Sequence, residues 1–250
     1  QFDAYFGSER VGSVPNFGLR WGLSAIARWD ASTAYRVHRY VAISQYVASR
    51  ISRYYNRTAS VVYPPVDTVF FEPNGEPPGH YALIVSALVP YKRVDLAIRA
   101  CRLAGVPLRV VGTGPDLRRL RAHSTNSVEF LGAVSDQEVR GLYQNAAVVL
   151  LPGTEDFGIA PVEAQACGRP VVALGHGGAC ETVVDGLTGA LVPQASDAAF
   201  ADAIDHIIRA QLDPHDIREH ALQFSRERFH TEFRRQIHEL TLAPEKRVAS

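Results

Sequence analysis

Short apolar runs alternate with amphipathic segments from about residue 80 of this chain onward. Each apolar run has the length of a buried strand, and the segments between the runs have the period of a helix, so the pattern predicts repeated β-α units. Strands that are apolar on both faces are typical of a parallel sheet with helices on each side. The predicted strands lie within residues 80–88, 107–115, 127–134, 146–153, 169–175 and 190–193, and the main helices between them within 94–105, 116–124, 136–146 and 160–168. The sequence therefore predicts an α/β fold with a Rossmann-like parallel sheet and helices on both faces.

A smaller β-α-β pattern precedes this one. Two strand-like runs flank a predicted helix over residues 44–57, and the Pro- and Gly-rich stretch 68–80 that follows has the composition of a linker. Beyond residue 196, two helical stretches follow, over residues 197–212 and 213–240. We therefore predict the C-terminal remnant of a second α/β domain over residues 1–66, a linker over 67–80, the Rossmann-like domain over 81–225, and a C-terminal helix and frayed tail over 226–250.

The composition is that of an ordinary globular protein, with 46% hydrophobic and 21% charged residues. The formal net charge is zero, which removes any global electrostatic argument for binding nucleic acid. The three cysteines, Cys101, Cys167 and Cys180, are too scattered for a disulfide framework and indicate a reducing cytoplasm. The first sixty residues carry eight arginines against three carboxylates, so peripheral contact with the anionic inner membrane surface is one hypothesis for them and a solvated helix face is the other.

The candidate chemistry lies in the turns after the predicted strands, because ligands of open parallel sheets bind beyond the carboxyl ends of the strands. Lys92 and Arg93 follow the first strand of the main domain, and glycine turns that include Gly112 and Gly114 let backbone approach a ligand. In the stretch 152–173, Pro161 suits the first turn of a helix and Gly168 its end. This pattern predicts Glu155 in the loop and Glu163 in the first helical turn.

A diphosphate fits this predicted helix start. The backbone N–H groups of Phe157, Gly158 and Ile159 would point out of the helix as anion donors, and Lys92 and Arg93 would add positive charge. The two carboxylates cannot serve a phosphate, but they can accept hydrogen bonds from a vicinal diol such as that of ribose or a hexose.

At these residues the sequence resembles a known family. Residues 155–163, EDFGIAPVE, match the E-x7-E motif of the retaining glycosyltransferases of family 4, which have the GT-B architecture of two facing Rossmann-like domains. Companion motifs follow the family's order in LVPYKRVDLAI, VVGTGP, VEFLGAVSDQEV and GGACETVVDGLTGALV, and the resemblance covers about residues 35–230. Residues 39–67 are especially similar to mannosyltransferase-like members that build bacterial surface polysaccharides.

The resemblance implies a role for each matched residue. It implies that Glu163 holds the donor ribose, that Glu155 contacts the donor sugar and that Lys92 binds the diphosphate. The backbone of Phe157, Gly158 and Ile159 would line the sugar and phosphate, and the loop from Leu131 to Val134 would flank the base. Ser86-Ala87 stands where many members have Gly-Arg, and Arg93 is the candidate substitute for that arginine.

Several functions are weighed against these residues. The leading hypothesis is transfer of a hexose, with GDP-mannose as the favoured donor, to a carbohydrate or lipid-linked hydroxyl acceptor, without cofactor or metal. A nucleotide-binding module, truncated or split and inactive by itself, is the alternative. A nicotinamide dehydrogenase is disfavoured, because no G-x-G-x-x-G opens a β-α-β unit. A nucleotide-sugar epimerase shares the architecture and stays open. Glu181 is expected to cap its own helix or brace the glycine loop before it.

Overall fold

The computed structural model describes residues 16–242 and begins with a small α/β piece. Helix α1 (Asn16–Thr33) and a short 3-10 turn lead into strand β1 (Tyr40–Ala42), helix α2 (Gln45–Tyr55) and strand β2 (Ala59–Val61). The two strands pair in parallel, as the β-α-β pattern predicts. We refer to residues 16–66 as the first unit. Residues 1–15 and the predicted tail at 243–250 lie outside the described residues.

Six parallel strands form the main sheet, in the order β5-β4-β3-β6-β7-β8. They are β3 (Ala82–Val85), β4 (Leu108–Val111), β5 (Val128–Gly132), β6 (Val148–Leu151), β7 (Val171–Leu174) and β8 (Gly189–Val192). The chain builds outward from β3 in one direction and then returns to place β6 on the other side of β3. The loops after β3 and β6 therefore diverge at a topological switch point, the usual place for a ligand in such sheets. We refer to residues 81–225 as the second unit.

Helices cover both faces of this sheet, which confirms the predicted α/β class. They are α3 (Val94–Ala104), α4 (Leu117–Ala122), α5 (Asp136–Asn145), α6 (Ile159–Ala166), α7 (Ala179–Thr182), α8 (Asp197–Ala210) and α9 (Pro214–Leu222). One buried cluster centres on Tyr143 and Phe224 and the other on Leu96 and Phe200, one on each side of the strands. A capping box marks the start of α5, where Ser135 and Glu138 exchange hydrogen bonds.

The predicted helical stretch over residues 213–240 contains two helices. The chain breaks after α9 and begins a new helix, α10 (Arg226–Leu242). The break occurs because the Phe224 carbonyl accepts a hydrogen bond of 2.8 Å from the Val66 N–H, while the Ser225 hydroxyl accepts one from Arg228 in the first turn of α10. Helix α10 then contacts the first unit, where Arg39 and Glu239 form an ion pair of 3.0 Å.

The segment predicted as a linker is fixed to the second unit along its length. Phe71 is buried against Tyr143, and the Gly79 N–H donates to the Asn145 carbonyl at 2.9 Å. Arg218 on α9 donates to the carbonyls of Thr68 and Phe71. The Pro and Gly residues therefore shape an irregular backbone that is anchored by side chains from the second unit.

Candidate active site at the switch point

An ion pair joins the two loops of the switch point. The Lys92 ammonium, in a 3-10 turn after β3, contacts the Glu155 carboxylate in the loop after β6. Less than a fifth of either side chain is exposed, 19% for Lys92 and 16% for Glu155. The loops can approach this closely because Gly153 lacks a side chain: a Cβ there would lie 2.5 Å from the Tyr91 carbonyl oxygen. Two residues that are 63 positions apart thus meet through the strand order.

The pair lies in the wall of a cavity of about 340 Å³ at the carboxyl ends of β3 and β6. Among the described residues, Lys92 is the only cation in this wall. Ile43 and Pro64 from the first unit complete the wall, so the cavity lies between the two units. Of the residues predicted from the sequence, the structure brings five to this cavity: Lys92, Glu155, Phe157, Gly158 and Ile159.

A glycine loop after β7 braces the Glu155 loop from behind. The Gly178 N–H donates to the Glu155 carbonyl at 2.8 Å, and Gly177 forms a parallel bridge with Glu155. A Cβ on Gly178 would lie 2.3 Å from the Phe157 Cα, so only glycine permits this contact. The backbone around the ion pair is therefore held by a close backbone-to-backbone contact.

Helix α6 begins immediately after this loop. Gly158, at φ +95°, is its N-cap, and Pro161 lies in its first turn as predicted. Glu163 is the fifth helical residue and lies in the second turn, which corrects the prediction of the first turn. The helix begins at Ile159, one residue before the predicted stretch, because Gly158 adopts a positive φ that lets the chain turn there.

Glu163 lies beside a different cavity from Glu155. Its carboxylate accepts a hydrogen bond of 3.1 Å from the hydroxyl of the fully buried Tyr143. Burial raises the pKa of Glu163, the Tyr143 hydrogen bond lowers it, and the Asp136 charge raises it. The second cavity, of about 480 Å³, is lined by Glu163 together with Asp67, Phe70, Ser135, Asp136, Gln137, Arg226 and their neighbours. The two motif glutamates therefore line separate cavities.

The other predicted residues lie around these cavities. Arg93 has φ +53° and pairs with Asp95 at 3.6 Å, outside the wall of the first cavity. Gly112 and Gly114 contact the chain after β3: a Cβ on either would come within 2.3 Å of a backbone oxygen, at Ser86 or Leu88. Leu131 and Val134 are half-buried and pack against the core cluster around Tyr143.

Sequence reasoning missed three contributors to this region. Tyr143 was assigned only to a helix, although a tyrosine at a buried helical position needs a hydrogen-bond partner. Glu181 was expected to cap its own helix or brace the glycine loop, but its carboxylate accepts hydrogen bonds from the N–H groups of Gln45 and Tyr46 at the start of α2. Asp156 pairs with Arg50 of α2 at 2.6 Å. The last two contacts join elements more than one hundred residues apart, and no local pattern carries that information.

Within residues 16–242, no grouping of three or more His, Cys, Asp or Glu side chains could hold a metal ion. None of the helices there combines the length and the apolar character that crossing a bilayer requires.

The chain is similar to known glycosyltransferases. It is 37% identical over 176 residues to the D-inositol 3-phosphate glycosyltransferases of Mycobacterium tuberculosis (strain H37Rv) and Mycobacterium bovis, a match that covers 62% of this chain and 37% of each relative. The chain thus spans well under half the length of these curated relatives.

The solved structures show the same fold. Sucrose-phosphate synthase from Thermosynechococcus elongatus has a TM-score of 0.79 at 21% identity, over 88% of this chain and 63% of that one. Anabaena HepE, solved in complex with UDP and glucose, has a TM-score of 0.72 at 23% identity, over 85% of this chain and 66% of that one. The parallel sheet with helices on both faces is the fold of these GT-B neighbours. Residues 67–224, more than half of the chain, match the model of the family described as glycosyl transferases group 1, and this protein belongs to that family.

Proposed function

We propose that this chain is the donor-binding part of a retaining hexosyltransferase that moves a hexose from a nucleotide-diphosphate sugar to a hydroxyl acceptor. The observation that carries the proposal is the meeting of Lys92, Glu155 and the start of α6 in one cavity at the switch point. A cation beside a helix N-terminus suits a diphosphate, because the first backbone N–H groups of a helix have no intrahelical partner. Glu155 and Glu163 suit hydroxyl groups, because an ionised carboxylate only accepts hydrogen bonds.

The chemistry follows from that placement. Lys92 and the N–H groups of Phe157, Gly158 and Ile159 hold the diphosphate and stabilise the negative charge that grows on it as the bond from the sugar C1 to the leaving oxygen breaks. The acceptor oxygen forms its bond to C1 on the face that the diphosphate leaves, so the configuration is retained. The acceptor proton passes to the leaving phosphate. Glu155 contacts the donor sugar during this step.

The nucleotide end of the donor is assigned to the second cavity. There Glu163 accepts hydrogen bonds from the ribose hydroxyls, and the loop from Leu131 to Val134 flanks the base. Gly112 and Gly114 keep the backbone of the turn after β4 close to the turn after β3, where Ser86 lines the first cavity. Arg93 can reach a phosphate only if its pair with Asp95 opens.

The resemblance of residues 39–67 to mannosyltransferases supports GDP-mannose as the donor. The solved neighbour HepE holds UDP and glucose, which makes UDP-glucose the competing candidate. Either sugar nucleotide offers a diphosphate to Lys92 and the helix start and hydroxyl groups to the carboxylates. Binding measurements are therefore needed to identify the base and the hexose.

The acceptor in this proposal is a carbohydrate or a lipid-linked sugar. The chain is proposed to act in the cytoplasm and to reach a lipid-linked acceptor by peripheral contact with the anionic inner surface of the membrane. Of the arginines in α2 and just after it, Arg50 pairs with Asp156, and Arg57 donates to the carbonyls of Ala34 and Val37. Arg53 is exposed and lies over the Tyr54 ring at 5.7 Å, which leaves it for a lipid phosphate. Arg53→Glu should weaken binding to vesicles of anionic phospholipid while a matched exposed control, Arg118→Glu, does not; equal binding by both variants contradicts the membrane contact.

The proposed donor site is tested by calorimetric titration of the chain with GDP, UDP and ADP, alongside Glu163→Ala. We expect one nucleotide to bind and the variant to bind it about 10- to 100-fold more weakly, the effect of losing a hydrogen bond to a charged group. Glu219→Ala, at an exposed position on α9, is the matched control and should leave binding unchanged. If none of the three nucleotides binds, the donor-site proposal is wrong.

The alternative is a nucleotide-binding module that does not turn over by itself. It is supported by the cavity wall, to which the described residues of the first unit contribute only Ile43 and Pro64. Both proposals predict nucleotide binding, and they separate in a transfer assay with the sugar nucleotide that binds. Release of free hexose or transfer to an added acceptor supports the enzyme, and tight binding without either product supports the module. Recovery of an altered sugar nucleotide would instead point to an epimerase.

A further inference from the structure

Glu181 is bound to an element far from its own. It lies in the short helix α7 after the glycine loop, and its two carboxylate oxygens accept hydrogen bonds from the Gln45 N–H at 2.7 Å and the Tyr46 N–H at 2.9 Å. These are the first two N–H groups of α2, which have no partner within that helix. The side chain of Ser44 already accepts a hydrogen bond from the third, at Val47. The second unit therefore completes the cap of a helix in the first unit.

Neighbouring contacts join the same surfaces. The ring of His176, in the glycine loop, meets the Tyr46 ring edge-on at 5.6 Å between centroids. The Tyr63 ring stacks on Phe157 at 5.7 Å between centroids. The pKa of Tyr63 is raised, mainly by burial and in addition by its hydrogen bond to the Glu181 carboxylate. The first unit thus contacts both loops that carry the candidate site, the one after β6 through Tyr63 and the one after β7 through Tyr46.

This contact determines what lies over the first cavity. Ile43, which lines that cavity, is two residues before Gln45, and Pro64, which also lines it, follows Tyr63. Holding the N–H groups of Gln45 and Tyr46 therefore fixes the part of the first unit that closes the cavity wall. Water could cap α2 equally well, because Gln45 is exposed. Water could not, however, hold the first unit in place, so the effect specific to Glu181 is the position of that unit.

We infer that Glu181 is a positioning residue that latches the first unit over the donor cavity through the start of α2. The inference rests on the proposed function for its effect on the donor, because closing the wall with Ile43 and Pro64 favours a ligand that fills the space beside Glu155. A nucleotide without the sugar, held mainly by the second unit, gains less from closure. Glu181 is assigned no contact with the reacting atoms.

The contact itself is tested by amide hydrogen exchange in solution. In Glu181→Ala, the amides of Gln45 and Tyr46 should exchange about tenfold faster, as expected for loss of a carboxylate at a helix N-terminus. The amide of Val47, which Ser44 protects, should change less than about twofold if the helix itself stays formed. The nuclear Overhauser contact between the rings of Tyr46 and His176 should weaken as the first unit moves. Glu181→Gln, which keeps one carbonyl acceptor, should restore part of the protection, and Glu219→Ala should change nothing.

The consequence for the donor is tested on the same variants. Glu181→Ala should weaken binding of the sugar nucleotide about five- to tenfold while the matching nucleoside diphosphate stays within about twofold, as expected when closure is lost but the second unit is intact. Unchanged exchange at Gln45 and Tyr46, or an equal loss for both ligands, overturns the latch. If neither ligand binds to the unsubstituted chain, the proposed function fails instead, and the exchange and ring-contact measurements still decide whether Glu181 holds the first unit.

Discussion

Lys92 and Glu155 are paired across the switch point, ammonium against carboxylate, on loops that follow adjacent strands. Glu155 balances the charge of the Lys92 ammonium, which would otherwise be an unpaired and mostly buried cation in the cavity wall. A diphosphate that enters the cavity competes with Glu155 for the same ammonium. The unliganded arrangement therefore keeps Lys92 in place and reduces its attraction for an anion.

This competition gives the first prediction. Glu155→Gln should bind the nucleoside diphosphate about three- to tenfold more tightly, because the amide keeps the shape of the carboxylate and removes its charge from Lys92. Lys92→Ala should bind it about 10- to 100-fold more weakly, because among the described residues no other cation lines the cavity. Isothermal titration of both variants measures the two effects.

Two charge-matched controls accompany that experiment. Glu219→Gln and Arg118→Ala remove one negative and one positive charge from exposed positions elsewhere. Both should leave the affinity within about twofold, because exposed charges are strongly screened at physiological salt. Tighter binding by Glu219→Gln equal to that of Glu155→Gln would mean that net charge, and not the pair with Lys92, governs the affinity.

The buried carboxylate of Glu163 gives a prediction on stability. Burial raises its pKa above 4.5 in the folded chain, so the folded state binds this proton more tightly than the unfolded state does. The contribution of this group to stability is therefore fully present below pH 4.5 and is lost as the pH rises through the folded pKa. Glu163→Gln should be more stable than the original chain at pH 7, and this advantage should shrink as the pH falls toward 4.5. Urea unfolding at several pH values measures the difference.

The same substitution should act on nucleotide binding in the opposite direction. An amide offers one acceptor oxygen without charge, so Glu163→Gln should bind the nucleotide about tenfold more weakly at pH 7. Greater stability together with weaker binding is the signature of a residue kept for its ligand. A variant that loses both stability and affinity would indicate that Glu163 mainly supports the fold through Tyr143.

The contact of Gly178 with Phe157 gives a prediction on the backbone. Gly178→Ala places a Cβ 2.3 Å from the Phe157 Cα, and neither backbone can move without disturbing the Glu155 loop. We expect a loss of about 1–3 kcal/mol in the free energy of unfolding, the range for overpacking a rigid site. Gly141→Ala, in α5 where no atom lies within 4 Å of the new Cβ, is the matched control and should gain about 0.5–1 kcal/mol. A loss in both variants would show that the close contact is not the cause.

Much of the fold follows from periodicity that is local in the sequence. The apolar runs place the strands of the main sheet, and the capping box of Ser135 and Glu138 marks the start of α5, because both signals lie within a few residues. The contact that separates α9 from α10 could not be found in this way. It is a hydrogen bond from the Val66 N–H to the Phe224 carbonyl, which joins residues far apart in the sequence.

In the candidate site, too, local signals identify the residues but not the contacts between distant elements. The loops that carry Lys92 and Glu155 and the helix that carries Glu163 were predictable, because the loops follow strands and the helix has clear ends. The pairing of Lys92 with Glu155 was not, because it depends on β6 returning to the side of β3. Nor was the contact of Glu181 with α2, which requires the relative position of the two units. Local signals identify candidate groups, and the sheet order decides which of them meet.

Arg218 gives the last prediction, and it concerns the segment whose Pro and Gly content reads as a linker. Its guanidinium donates to the carbonyls of Thr68, Phe71 and Ala166, so one side chain ties this segment to the end of α6. Arg218→Ala leaves these acceptors unpaired and should lower the free energy of unfolding by about 2–4 kcal/mol. It should also speed cleavage after Glu72 and Glu76 by a glutamate-specific protease, because local release of the segment exposes its backbone.

Two variants separate this role from a general effect of charge. Arg218→Lys keeps the charge but cannot reach three carbonyls from a fixed planar fork, so it should recover only part of the lost stability. Arg209→Ala removes an exposed arginine that pairs with Asp205 within α8, and such a pair contributes less than about 0.5 kcal/mol. Cleavage that stays slow in Arg218→Ala would mean that Phe71 and Gly79 hold the segment without it. Fast cleavage in Arg218→Ala alone would mean that α9 orders the segment between the two units. The Pro and Gly content of the segment would then reflect the turns of its backbone and not a flexible linker.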